Sequence, residues 1–327
     1  MSEARIAVVS GGPSAEAEVS RSGAAAVARA LESAGFAVLC LELDTRLPAT
    51  LSASAIDAVF PVTHGAVGED GCLQGLLEVL DLPYVGSGVL ASALAMNKPQ
   101  AKLVFRAAGL PVARDRALTR GEDVAGRAAE LWRELGPALI VKPASGGSAI
   151  GVVPVAIGDG DAALLSAVQR VWSEDRVALV ETAVKGSDLT CSVLEDENGP
   201  RALPITLIRP KAAGFYDFTS KYRPGASEHL VPAPLSPELT REIGMTAVRA
   251  HALLGCRDLS RVDFVWNETD GSFVLLEVNT LPGMTATSLF PEAAQAVGID
   301  FQTLCATLAR RALARPRAEK PQALALP

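Results

Sequence analysis

The stretch from Arg261 to Ser288 constrains the fold and the chemistry of this chain more than any other. Two β-rich runs, VDFVW and SFVLLEVN, flank a cluster of turn-forming residues, which predicts a β-hairpin. With the hairpin centred near Asp270, Asp263 lies opposite Glu277. Side chains two apart on a strand share a face, so Asn279 points the same way as Glu277. The hairpin therefore gathers two carboxylates and one amide on one patch of an otherwise apolar ribbon.

This polar patch has two interpretations. Carboxylate and amide oxygens are hard ligands of the kind that Mg²⁺ takes, with nucleotide phosphates filling its other positions. The alternative is an edge hairpin whose polar face lies in water, where scattered acids are common. The segment 280–285 favours the first interpretation, because its Pro282-Gly283 turn exposes backbone N–H groups beside the acids. Together the two features predict a site that handles phosphate.

Composition and charge exclude several classes of partner. The 327 residues suffice for two or three domains, and a net charge of −7 argues against a nucleic-acid partner. We find no apolar run that could span a membrane and no secretion signal at the start. The five cysteines are scattered without a C-x-x-C spacing, which is typical of reduced residues in a cytoplasmic protein.

The first hundred residues predict an open parallel sheet. Strands at Arg5–Val9, Ala37–Leu43 and Ala58–Val62 surround a helix from Glu16 to Ala34. Sheets of this kind bind ligands at the carboxyl ends of their strands, where this sequence carries polar residues. The dinucleotide fingerprint, the P-loop and the kinase H-R-D motif are absent. Glu16 begins the helix and has two interpretations: it faces a ligand, or its charge complements the helix dipole.

Two further features of the first half point to a ligand. The glycine-rich loop His64–Gly71 follows a strand, and a histidine there can face a ligand, although one such histidine is usually unremarkable. Lys98 opens a helix, where a cation opposes the dipole, which hints that it meets an anion.

The second half contains a predicted flap and a predicted lid. Lys142 ends a strand and precedes the small-residue loop 144–151, whose N–H groups can wrap phosphate; the alternative is a plain Gly/Ser hairpin. The segment Arg209–Leu230 is predicted to be a long loop. Loops of this length in compact domains are normally functional or disordered, and its aromatic residues favour a lid.

Taken together, these segments resemble the D-alanine–D-alanine ligase family over about residues 4 to 312. The motifs appear in order and with plausible spacing. They are Gly11-Gly12-x-Ser14-x-Glu16-x-x-Val19-Ser20, His64-Gly65-x-x-Gly68-Glu69-Asp70-Gly71, Pro83-Tyr84-x-Gly86-Ser87-Gly88, Lys142-Pro143, Phe215-Tyr216-Asp217 with Lys221-Tyr222, Arg261-x-Asp263, and Glu277-x-Asn279-Thr280-x-Pro282-Gly283-Met284-Thr285.

The resemblance implies an α/β ATP-grasp enzyme of three domains, with an N-terminal open parallel sheet and two α+β domains that sandwich ATP. We expect a substrate-binding domain at 1–95, a central domain at 96–183, a catalytic domain at 184–313 and a disordered tail at 314–327. The implied reaction joins two D-alanines through an acyl phosphate for peptidoglycan precursor synthesis. The implied cofactor is Mg²⁺ (two ions, with Mn²⁺ as a substitute), and a homodimer is implied as well.

Carried over residue by residue, the resemblance also implies roles for individual side chains. The metal ligands are Asp263, Glu277 and Asn279, and the ATP-binding residues are Lys98, Lys142, Glu181, Val184, Asp188 and Lys221. Glu16, Ser148 and Tyr222 form a trio that orients the first D-alanine beside His64. Arg261 and the Gly283 N–H are the oxyanion donors, and Ser288 with Leu289 holds the second carboxylate.

Several positions depart from the family pattern. Ala17 stands where Arg or His is usual, Thr182 replaces a common lysine near the adenine, and Asp188 is one methylene shorter than the usual Glu. The flap, ASGGSAIG, is less charged than usual. These departures leave open ATP affinity, flap dynamics and amino-acid choice.

Three functions are therefore open at this point. The first is ATP-dependent ligation of two D-alanines. The second is an ATP-grasp ligase with another acceptor, such as D-serine, D-lactate or another amino acid; Tyr222 favours an amino acceptor. The third is a nucleotide-binding protein without turnover, against which the intact set Arg261, Asp263, Glu277 and Asn279 argues.

Overall fold

The structure is a computed structural model that describes residues 3–147, 150–211, 226–285 and 287–315. The strands are β1 (Arg5–Ser10), β2 (Ala37–Glu42), β3 (Ala58–Pro61), β4 (Asp115–Thr119), β5 (Ala138–Pro143), β6 (Val153–Ala156), β7 (Val177–Thr182), β8 (Ser187–Asp196), β9 (Gly199–Ala202), β10 (Thr206–Pro210), β11 (Ser227–Leu230), β12 (Leu259–Trp266) and β13 (Phe273–Asn279). The α-helices are α1 (Ala17–Ser33), α2 (Leu47–Ala53), α3 (Cys72–Val79), α4 (Val89–Met96), α5 (Lys98–Ala107), α6 (Val124–Leu135), α7 (Gly160–Glu174), α8 (Pro237–Leu254), α9 (Leu289–Gln295) and α10 (Phe301–Leu313).

The N-terminal sheet is parallel, in the order β2-β1-β3, and this confirms the prediction of an open parallel sheet. Residues of β1 alternate between two cores, as the two-residue period of a strand requires. Ile6 and Val8 face α1 and the C-terminal helices α9 and α10, whereas Ala7 and Val9 face α2 and α3. The last described helix, α10, therefore completes the layer that covers the first sheet.

The second sheet is antiparallel, in the order β4-β7-β5-β6, with α6 and α7 on one face. Alternate residues of β5 and β7, including Leu139, Val141 and Val180, are buried against Leu131 of α6 and Val168 of α7. Neither β4 nor α7 was predicted from the sequence. The other face of this sheet is turned toward the third sheet, and it carries polar side chains.

The third sheet is antiparallel, in the order β11-β10-β8-β12-β13, with β9 paired to the edge of β8. Its apolar face packs on α8 and on the helices α4 and α5, around residues such as Phe105, Val262 and Phe264. Phe264 and Phe273 meet edge to face, with ring centroids 5.8 Å apart. This packing buries one face of the predicted hairpin and leaves its polar face for the site.

The hairpin β12–β13 pairs Asp263 with Glu277, as the sequence predicted, and it also pairs Arg261 with Asn279. The register shifts between Asp263 and Phe264, because Phe264 pairs with Leu275. A β-bulge of this kind inserts one extra residue and re-aims the neighbouring side chains. The bulge therefore brings Glu277 opposite Asp263.

The segment predicted as a loop from Arg209 to Leu230 is partly strand, which corrects that prediction. Arg209 pairs with Glu228 and Ile208 with His229, so β10 and β11 extend the third sheet. The four residues of β11, SEHL, are mostly polar and do not alternate, so the sequence carries no strand signal there. The remainder of the predicted lid, 212–225, lies outside the described residues.

Within the described ranges, the chain contains no helix long and apolar enough to cross a membrane. The domain boundaries at 95 and 183 stay a prediction.

Candidate active site

A cleft of about 850 Å³ lies between the second and third sheets and reaches the first. It is lined by every predicted site residue that the structure describes: Glu16, His64, Lys98, Lys142, Glu181, Val184, Asp188, Arg261, Asp263, Glu277, Asn279, Gly283, Ser288 and Leu289. Ser148, Lys221 and Tyr222 lie outside the described residues. The fold thus gathers residues from positions 16 to 289 into one space.

The floor of the cleft is the polar face of the hairpin. Both Asp263 carboxylate oxygens accept hydrogen bonds from Arg261, from Nε at 2.9 Å and from the terminal nitrogen at 2.8 Å. Thr190 Oγ1 donates to Asp263 at 2.7 Å, and Asn279 Nδ2 donates to it at 3.1 Å. Asp263 is therefore held in one orientation by donors from three strands.

Lys98, at the start of α5, connects this floor to the flap. Its ammonium lies 3.3 Å from Glu277 Oε2 and also donates to the carbonyl of Gly146. The anion that Lys98 meets in this structure is thus the Glu277 carboxylate. The side chain is nearly buried, so its charge is directed into the cleft rather than into bulk water.

Glu181, at the end of β7, forms the centre of a buried ion cluster. Lys142 Nζ lies 2.5 Å from one carboxylate oxygen and Lys102 Nζ lies 2.6 Å from the other. Burial raises the pKa of the Glu181 carboxyl, but the ammonium groups of Lys142 and Lys102 outweigh it and hold the pKa below its ordinary value. Sequence reasoning missed Lys102; its place beside Ala101 and Phe105 on the buried face of α5 was the available signal.

The end of the cleft nearest the N-terminal sheet contains Glu16, His64 and Glu69. Burial lowers the pKa of the His64 imidazole, and the charge of Glu16 only partly opposes this. Burial raises the pKa of the Glu69 carboxyl to about 8. Glu69 Oε1 accepts the Gly65 N–H at 2.9 Å, which folds the glycine-rich loop. The sequence analysis quoted Glu69 within a motif but assigned it no role.

At this same end of the cleft, the Pro-Gly turn brings Gly283 against Ser288. A Cβ on Gly283 would lie 2.9 Å from Ser288 Oγ, so only glycine fits without moving that hydroxyl. Ser288 Oγ accepts the Thr285 N–H at 3.0 Å and lies 2.8 Å from Thr285 Oγ1. Leu289 then begins α9. This compact turn presents N–H and O–H groups to the cleft.

The donor set of the hairpin limits the kind of metal site that it can form. Within the described part of the chain, no group of three or more His, Cys, Asp or Glu side chains could hold a metal by itself. The hairpin supplies two carboxylates and one amide oxygen. Mg²⁺ takes six oxygen ligands and commonly binds through one or two carboxylates plus substrate phosphates and water. The residues therefore fit a cation that arrives with a nucleotide, rather than a metal centre of the protein alone.

A cleft with lysines along one wall, an acidic hairpin as its floor and α+β units on both sides defines an ATP-grasp enzyme. Two family models match this chain: the D-ala D-ala ligase N-terminus at residues 43–87 and the D-ala D-ala ligase C-terminus at residues 104–310. The chain is 45% identical to the D-alanine--D-alanine ligase of Acidiphilium cryptum, over 95% of its own length and 99% of that protein.

Solved structures agree with these matches. The D-alanine--D-alanine ligase of Bacillus anthracis superposes with a TM-score of 0.82 at 34% identity, covering 95% of this chain and 97% of the other. The same enzyme complexed with ATP gives a TM-score of 0.80 at 32% identity, with the same coverage. This chain belongs to the D-alanine–D-alanine ligase family.

Proposed function

We propose that this protein joins two D-alanine molecules into D-alanyl-D-alanine, a peptidoglycan precursor, and converts ATP to ADP and phosphate. Membership of the ligase family supports the activity. The observation that carries the proposal is the meeting of Arg261, the Asp263–Glu277–Asn279 patch and the Gly283–Ser288 turn in one cleft with Lys98 and Lys142. A binding module without turnover has no need of this combination.

In the first step, a carboxylate oxygen of the first D-alanine attacks the γ-phosphorus of ATP, giving D-alanyl phosphate and ADP. Phosphoryl transfer depends on in-line positioning and on cations near the transferred charge. Lys98 and Lys142 line the wall where those cations are needed, and Lys221 is assigned to the same task. Glu16, Ser148 and Tyr222 orient the first D-alanine, beside His64.

In the second step, the neutral amino group of the second D-alanine attacks the acyl carbon and a tetrahedral oxyanion forms. The bond from carbon to the phosphate oxygen then breaks and the nitrogen loses a proton, which gives the peptide bond and inorganic phosphate. Arg261 and the Gly283 N–H donate to this oxyanion. Ser288 and Leu289 hold the carboxylate of the second D-alanine. Glu181, Val184 and Asp188 bind the adenine and ribose. Excluding water protects the acyl phosphate from hydrolysis.

The divalent cations that ATP-grasp ligases use, Mg²⁺ or Mn²⁺, would be held by Asp263, Glu277 and Asn279. When bound, they neutralise phosphate charge and fix the nucleotide's orientation. We assign two such ions, a homodimeric state and a cytoplasmic location to this protein. Three domains, at 1–95, 96–183 and 184–313, with a tail at 314–327, complete the proposal.

Phosphate release from ATP tests this function, with D-alanine, other D- and L-amino acids, and D-lactate supplied in parallel. We expect release to depend on D-alanine and the product to be D-alanyl-D-alanine by mass spectrometry. Release that depends on another acceptor would replace the assigned substrate. No release with any acceptor, despite tight ATP binding, would contradict the assignment as a ligase.

A further inference from the structure

Lys102 is a buried lysine that no part of the proposed reaction uses. Its residue is 1% exposed, and its ammonium lies 2.6 Å from Glu181 Oε2 and 2.8 Å from Asp115 Oδ2. Asp115 and Glu181 are direct partners across β4 and β7. Burying an ammonium is costly even when it is paired, because the attraction within the pair must repay the desolvation of both charges. A purely structural position would be filled as well by an apolar side chain.

The cluster around Lys102 carries an excess of positive charge. Glu181 and Asp115 contribute two carboxylates, and Lys102, Lys142 and Arg106 contribute three cations. The cluster as a whole therefore carries one net positive charge. The two lysines place it on Glu181, which lines the cleft, whereas the Arg106 guanidinium on Asp115 is 44% exposed and screened by water.

The two lysines on Glu181 differ in their access to the cleft. Lys142 lines the cleft. Lys102 projects from the buried face of α5 and contacts the other carboxylate oxygen of Glu181. A polyphosphate in the cleft can thus attract Lys142 away from Glu181. Because Lys102 holds the second carboxylate oxygen, Glu181 keeps a paired charge when Lys142 leaves.

We propose that Lys102 is a positioning residue for polyphosphate binding, which neutralises Glu181 and thereby leaves Lys142 available to the phosphates of the nucleotide. The inference rests on the proposed use of ATP. Lys102 lies outside the cleft, but it determines how much of the Lys142 charge is available inside the cleft. Lys102 acts through Glu181 and Lys142 and does not touch the nucleotide.

The test compares ADP with adenosine, in Mg²⁺-containing buffer and without amino acid, by titration calorimetry. In Lys102→Met, Lys142 is the one cation of this cluster that still pairs with Glu181. Moving Lys142 from Glu181 to the phosphates therefore costs more than it does in the wild type. We expect the Kd for ADP to rise by about 10- to 100-fold, the range for a lost charge-assisted contact. The Kd for adenosine should change by less than about threefold, since adenosine has no phosphate to attract Lys142, and Glu181, which is assigned to the adenine and ribose, then stays paired with Lys142.

Arg106→Met provides the matched control. Arg106 lies on the same helix and bonds Asp115 at 2.6 Å, but among the described contacts it does not bond Glu181. The control removes one cation from the same cluster without releasing Glu181. We expect it to keep ADP affinity within about threefold, because its exposed guanidinium is screened by water.

Lys102→Gln keeps hydrogen-bond donors, removes the charge and repeats the comparison if Lys102→Met does not fold. In steady-state kinetics, either variant should raise the KM for ATP far more than the KM for D-alanine. Equal losses of ADP and adenosine binding, or equal losses in Lys102→Met and Arg106→Met, would overturn the proposal. Wild-type protein that binds no ADP would instead contradict the proposed function, so the two failures are distinguishable.

Discussion

Lys98 Nζ lies 3.3 Å from Glu277 Oε2, and this ion pair joins the first turn of α5 to the last residues of β13. The two residues are assigned to different tasks, one to phosphate and the other to a metal. Phosphates entering the cleft would offer Lys98 a new partner of opposite charge, and a metal cation would do the same for Glu277. The pair therefore keeps both charges compensated while the nucleotide is absent.

Glu277→Gln should abolish turnover while the protein stays folded. The amide removes one of the two anionic groups of the hairpin, which costs several kcal/mol of transition-state stabilisation, or at least about 100-fold in kcat. In this variant Lys98 still donates a hydrogen bond to the Gly146 carbonyl, so the contact between α5 and the loop 144–151 is kept. Phosphate release across a range of Mg²⁺ concentrations, together with a thermal melt, checks both statements.

Glu242→Gln is the control for this substitution, since it makes the same chemical change on the exposed face of α8. It should leave phosphate release unchanged. Near-normal activity of Glu277→Gln at saturating Mg²⁺ would remove Glu277 from the metal site.

The register of the hairpin shows what sequence reasoning can reach. The two-residue period of strands, applied to Asp263, Glu277 and Asn279, placed them on one face, and the structure confirms the pairing of Asp263 with Glu277. That pairing depends on a bulge beside Phe264 that no residue type in the sequence signals. The sequence thus predicted both the face and the pair, but not the bulge through which the strands reach that pairing.

The ion cluster of Glu181 shows where sequence reasoning stops. Lys142 and Glu181 were assigned separately to ATP, and nothing in the sequence indicated that they pair. The pairing follows from the antiparallel contact of β5 with β7, which separate elements of the chain must fold to create. Lys102 was missed because lysines are usually exposed, although its position beside Ala101 and Phe105 places it on the buried face of α5.

Glu69 should make stability depend on pH. Its pKa is raised from 4.5 to about 8 by burial, so between these values the native protein keeps a proton that the unfolded chain releases. Stability from this group is full below about pH 4.5 and falls as pH rises toward 8. From pH 5.5 to 7.5, wild type should lose roughly 1–3 kcal/mol more than Glu69→Gln, by urea denaturation.

Glu69→Gln is an informative partner because glutamine imitates the protonated carboxyl and can still accept the Gly65 N–H. Comparing slopes rather than absolute values cancels the titration of the other groups. Parallel stability–pH curves for the two proteins would show that Glu69 is ionised in the native state.

Asp258→Ala should destabilise the junction between the N-terminal sheet and the last helix. Asp258 is fully buried and accepts the Gly86 N–H at 2.7 Å, Arg311 Nε at 3.3 Å and a bond from Arg315. Removing one partner of a buried ion cluster costs about 3–5 kcal/mol. Asp258→Asn should cost less, because asparagine tolerates the positive φ of 63° and retains an acceptor. Equal losses in the two variants by denaturant titration would mean that the lost charge accounts for the whole effect and that the retained acceptor contributes nothing.

Gly283→Ala should damage the acceptor end of the cleft without unfolding the protein. The new Cβ would lie 2.9 Å from Ser288 Oγ, so the serine must rotate and give up its bonds to Thr285. A displaced hydroxyl should raise the KM for D-alanine by about tenfold or more and lower kcat, with little change in melting temperature. Gly158→Ala is the matched control, since its Cβ would enter open space.

Combining Gly283→Ala with Ser288→Ala should cost no more than the worse single change, because both act on the same hydroxyl. Fully additive losses would show that Gly283 matters through its own N–H and not through Ser288.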